Sequence, residues 1–116
     1  MTRSAILSTA LAFTALLATA AVAADKGDTT QGKKSYTAQC LICHGQAGDG
    51  AGPAGAALRP KPTDFTDAGW WEGETDASVM GAIKRGKTGT AMQAFPMARE
   101  DLEQLVAYLR SFEPEG

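Results

Sequence analysis

The sequence predicts an all-α fold for the part of the chain that follows its leader. Residues 29–40, 75–85 and 98–112 each carry helix signals, glycines and prolines punctuate the stretches between them, and no βαβ pattern is visible. At 116 residues the chain makes one domain at most. Its core would be small by the usual scaling of buried surface with size.

The leader comes first. Met1-Thr2-Arg3 is a short positive start, Ala5 to Ala20 is an apolar run rich in Ala and Leu, and Ala21-Val22-Ala23 offers the small-residue cleavage pattern of a secretory signal. We expect residues 1–23 to be a signal peptide and residues 24–116 to be an exported, periplasmic domain. Cutting after Ala23 or Ala24 would free a chain of about ninety residues. The competing reading is an uncleaved membrane anchor, which would bring the domain to a membrane. Its length is near the limit for a span, but Ser4, Ser8, Thr9, Thr14 and Thr19 dilute it and no charged stop follows at once. With Arg3 set aside from the 11 Lys/Arg, ten remain against 13 Asp/Glu, a balance that argues against nucleic acid as a partner.

Thr29 to Cys40 reads as the first helix, with Asp28 available as an N-cap oxygen. Gly32 inside it costs roughly 1 kcal/mol relative to Ala. Gly32, Tyr36 and Cys40 stand at i, i+4 and i+8 and share one face. A glycine on that face would let another helix cross closely; the plainer reading is a frayed first turn. From Gly45 to Pro62 the density of Gly and Pro forbids a long regular element. Asp64 to Glu74 holds Phe65, Trp70 and Trp71.

Thr75 or Asp76 can cap a short middle helix running to about Arg85, with Val79, Met80 and Ile83 on its apolar side and Gly86 as its stop. Lys84, Arg85 and Lys87 cluster at its C-terminal end, where the helix dipole favours cations; the alternative is a docking patch for a partner protein. Ala98 to Phe112 is the most periodic segment after the leader. Leu102, Leu105, Val106, Leu109 and Phe112 recur at helical spacing, and Pro114 follows. That apolar face needs a partner, and the Gly32/Tyr36 face is the best on offer.

The chemistry is concentrated in Cys40-Leu41-Ile42-Cys43-His44, which uses both cysteines and the only histidine. C-x-x-C-H reads as a c-type haem attachment site: two thiols can each add to a vinyl group on one porphyrin edge, and the next imidazole is then held where it can bind iron. A thioredoxin-like dithiol would want a βαβ pattern. A structural zinc site would want four N or S ligands, and three Cys/His are present. We therefore expect one covalently attached haem c on Cys40 and Cys43, with His44 as proximal ligand. Such a disc would fill the interior of a small core.

The sixth iron position falls to a thioether, another donor or a vacancy. Met1 leaves with the leader and Met80 belongs to a helix face. If Ala98 is the N-cap of the last helix, Met97 stands at N′ and Leu102 at N4, the placement of a hydrophobic staple. Met92, in an irregular stretch between Gly89 and Pro96, has no helical face to claim it. Met92 is thus the expected axial ligand, with Met97 the alternative. A backbone carbonyl of the Gly45–Pro62 run could accept the Nδ1 proton of His44, and Pro53 is the candidate. One of Trp70 and Trp71 should fill the core and the other meet a haem propionate. The residues do not decide between them; Trp70 is carried as the candidate cofactor contact.

Taken in order, Gly32-Lys33 with Tyr36, Cys40 to Gly45, Gly48-Asp49-Gly50 with Gly52-Pro53, Pro60 to Phe65, the Met92 loop and Leu105 to Arg110 resemble the class I cytochromes c. Within these, the chain is similar to small bacterial members like the haem domains of subunit III of cbb3-type oxidases. The resemblance implies crossed first and last helices, a short middle helix and a haem crevice whose edge reaches solvent. It also implies carriage of single electrons between a donor and an acceptor protein rather than catalysis. Two other roles stay open: a haem sensor or weak peroxidase if the Met ligand is labile, and a haem subunit of a dehydrogenase or oxidase. The family often has Pro after the ligand Met and Ser or Thr at the last N-cap; here Gln93 and Ala98 stand there. The second departure predicts a helix less well capped by about 1 kcal/mol.

Overall fold

The computed structural model describes residues 29–116, together with Ala10 and Ala15. Apart from those two positions, the expected signal peptide lies outside the described residues, as does Asp28, the expected first N-cap. Among the described residues there are five α-helices and no strand: α1 Thr30–Gln39, α2 Leu41–His44, α3 Ala68–Glu72, α4 Asp76–Arg85 and α5 Arg99–Arg110. A short 3-10 helix, Gly55–Ala57, interrupts the glycine-rich run. No helix among them is long and apolar enough to cross a membrane.

α1 and α5 cross at Gly32. A Cβ built there would lie 2.1 Å from the Gln104 carbonyl oxygen and 3.0 Å from the Tyr108 Cβ, so only glycine lets the two backbones meet. One turn on, Tyr36 is 1 % exposed. Its ring packs against Tyr108 and Phe112, both at 5.3 Å between centroids. α5 answers with Leu102, Leu105, Val106 and Leu109, all buried, as its period requires.

α4 packs on the same helix through Val79 and Ile83, with Met80 only half-buried. Thr75 caps it in a reciprocal box: its hydroxyl accepts from the Ser78 N–H at 3.1 Å while Ser78 Oγ accepts from the Thr75 N–H at 2.9 Å. Gly86, at φ +72°, ends it. Ala98 is the N-cap of α5 and makes no side-chain cap; Glu100 and Asp101 in the first turn favour the dipole instead. Arg110 ties α5 to the rest. It donates to Asp76 at 2.8 Å and to Glu113 at 2.9 Å, and its guanidinium carbon lies 4.2 Å from the centre of the Trp71 ring.

Two elements differ from the sequence reading. The first helix ends at Cys40 (φ −113°) as expected, but Leu41–His44 then forms a further helical turn that carries the second cysteine and the histidine. α3 was not anticipated: Asp67 caps it by accepting from the Gly69 N–H at 2.9 Å, and five residues are too few to show a period.

Candidate haem site

Cys40, Cys43 and His44 meet Pro60, Thr63, Met92 and Phe95 around a cleft of about 290 Å³. That volume is near the lower end of the range for cofactor sites. α2 sets the three motif residues on this wall because the chain before and after it is pinned. The Cys40 N–H donates to the Tyr36 carbonyl at 2.8 Å, and Gly45 takes φ +84° to leave the helix. The buried Tyr36 hydroxyl donates to the Gly45 carbonyl at 2.5 Å.

The glycine-rich run closes the other end of α2. Gly50, Gly52 and Ala54 donate their N–H groups to the carbonyls of His44, Cys43 and Ile42, at 2.8, 3.0 and 2.9 Å. These are the last carbonyls of a helix and have no partner inside it. Gly55 sits so close that a Cβ would come within 2.0 Å of the Cys43 oxygen. The loop thus acts on the motif by donating hydrogen bonds.

The imidazole's own hydrogen bond corrects the Pro53 assignment. Pro53 is exposed and does not line the cleft. The imidazole instead uses Thr63, whose carbonyl accepts from His44 Nδ1 at 3.0 Å. A carbonyl can only accept, so the proton is on Nδ1 and Nε2 keeps its lone pair. Phe65 stacks on the same ring at 4.7 Å and 21° and fixes its plane. Burial pushes the His44 pKa below the ordinary histidine value, and the Thr63 bond offsets this only in part. The ring is therefore neutral at pH 7, as an iron ligand must be.

Both cysteines are free, half-buried thiols. Burial, and then the neighbouring Cys43, push Cys40 up to about 11, so it is a neutral S–H in the folded chain.

Met92 lines the cleft, and with His44 it also lines a smaller adjoining cavity of about 60 Å³. Met97 lines neither and packs against the core to which Leu102 belongs. The two tryptophans separate as well. Trp71 is the core residue, with its indole N–H donating to the Phe65 carbonyl at 2.7 Å. Trp70 is half-buried, edge-on to Phe65 at 5.4 Å, and lines the smaller cavity rather than the cleft. Thr63 and Phe65 are site residues that the sequence reading left without a role.

Among the described residues no group of three or more His, Cys, Asp or Glu stands together to hold a bare metal ion. The donors present, one neutral imidazole and one thioether beside two thiols, suit an iron that brings its equatorial nitrogens with it. They fit a covalently attached porphyrin.

The cytochrome c family matches residues 29–113. Among solved structures, a chain of the reducing HAO-like protein complex of Kuenenia stuttgartiensis is 28% identical, with a TM-score of 0.65. The match covers 76% of this chain and 44% of that one, so the present chain spans less than half the length of that relative. The chain belongs to the cytochrome c family.

Proposed function

We propose that the protein is a periplasmic carrier with a single haem c, exchanging one electron at a time with a donor and an acceptor protein. The observation that carries this reading is the lining of one cleft by both cysteines, His44 and Met92. Bound haem c supplies the one-electron couple. Cys40 and Cys43 would anchor it covalently, and His44 and Met92 would hold its iron. Thr63 and Phe65 hold the imidazole's tautomer and plane, so the ligand does not reorient when charge changes. Trp70, beside the same ligands, is the proposed propionate contact. A Met ligand raises the potential relative to a second His.

Optical spectra of the exported protein test the ligand set. Met92→Ala is expected to abolish the thioether-to-ferric-iron charge-transfer band, and Met97→Ala to spare it; the reverse result exchanges their roles. The mass of the purified protein tests export, since cleavage after Ala23 or Ala24 removes the leader.

A second reading has one observation in its favour: the structural relative is a chain of a protein complex. Under it the chain is a fixed haem subunit, and copurification with a partner at constant stoichiometry decides for it.

A further inference from the structure

The residues from Lys87 to Met92 close on themselves. Gly89 takes φ +79°, the left-handed conformation that a type II turn needs at its third position, and the Thr90 N–H reaches the Lys87 carbonyl at 3.2 Å. The Thr90 hydroxyl donates to that carbonyl at 2.7 Å and accepts from the Met92 N–H at 3.1 Å. The Lys87 N–H donates in turn to the Met92 carbonyl at 3.0 Å. Both polar groups of the Met92 backbone are thus engaged, one of them by the Thr90 side chain.

The loop is seated on the end of α4. Phe95 donates its N–H to the Ile83 carbonyl at 2.9 Å, and a Cβ on Gly86 would lie 2.8 Å from the Met92 oxygen. Thr90 itself is exposed and lines the same cleft as Met92, so no core contact accounts for it. Its hydroxyl joins the ligand's backbone to the turn.

We propose that Thr90 is a positioning residue that clasps Met92 and sets how readily the thioether gives way to an outside ligand. This rests on the reading of Met92 as the sixth ligand. Displacement is a plain exchange in which the thioether leaves, the entering ligand takes its place, and no electron moves. Whatever holds the Met92 backbone therefore multiplies into the apparent affinity of a competitor.

The test uses the ferric holoprotein and cyanide as the probe. Thr90→Val keeps the side chain's shape and removes both hydroxyl bonds; Thr90→Ser keeps the hydroxyl. Thr90→Val is expected to bind cyanide on the order of three- to tenfold more tightly, the range set by one ordinary hydrogen bond, and Thr90→Ser to bind it as the wild type does. Wild-type affinity in Thr90→Val, or equal tightening in both variants, overturns the clasp. Retention of the thioether band in Met92→Ala, measured without cyanide, instead overturns the ligand assignment and the clasp with it.

Discussion

Replacing Gly32 by alanine sets two known effects against each other. In an exposed helix the change would stabilise by roughly 1 kcal/mol. Here the new methyl would begin 2.1 Å from the Gln104 oxygen and 2.7 Å from its carbonyl carbon, where ordinary contact starts near 3.4 Å. The obstacle is backbone, which cannot swing aside, so α1 and α5 must part by about 1 Å. Parting them loosens Tyr36 against Leu105 and Val106, three of the most deeply buried side chains. Overpacking of this kind costs about 1–3 kcal/mol, occasionally more. A backbone contact as short as 2.1 Å belongs to the upper half of that range, about 2–3 kcal/mol, so after the propensity gain Gly32→Ala should still destabilise by about 1–2 kcal/mol, and Gly32→Val by more. For a domain of this size that is a fall in melting midpoint of roughly 5–15 °C. Urea unfolding of the holoprotein reads it as a lower midpoint at unchanged slope. A Gly32→Ala protein as stable as the wild type, or more so, refutes the close crossing.

Other outcomes follow from the same geometry. Replacing Cys40 and Cys43 with Ala should make the haem extractable by acidified organic solvent, and a haem that stays bound would contradict covalent attachment. Thr75→Val removes one side of the capping box and should cost about 1 kcal/mol, read as a lower urea midpoint. Arg110→Met should cost up to about 1 kcal/mol by breaking the links to Asp76 and Trp71, whereas Arg99→Met, whose side chain is 83% exposed beside Glu103, should leave the midpoint nearly unmoved. Equal losses from the two arginine variants would remove the distinction drawn between them.

What was legible in the sequence was whatever a short window encodes. The period of residues 102–109, the Thr75 cap and the Gly86 stop are local, and each stands where the residues placed it. The Met97 argument was also local, since a residue just before a helix N-cap has a packing role ready for it, and that left Met92 for the cleft. The partner of His44 is of another kind. Every residue offers a carbonyl, so composition can say that one is needed without saying which, and the choice fell on Thr63, 19 positions away. Pro53 fails on placement: it is exposed and away from the cleft, while its neighbours Gly52 and Ala54 donate their N–H groups to the carbonyls of Cys43 and Ile42. Phe65 follows from the same choice. Once Thr63 holds the imidazole by its edge, the side chain two positions on reaches the ring's face, so a single short segment fixes both tautomer and plane. The motif names the ligand, whereas its orientation rests on a carbonyl, a group every residue carries, and on the Phe65 ring beside it.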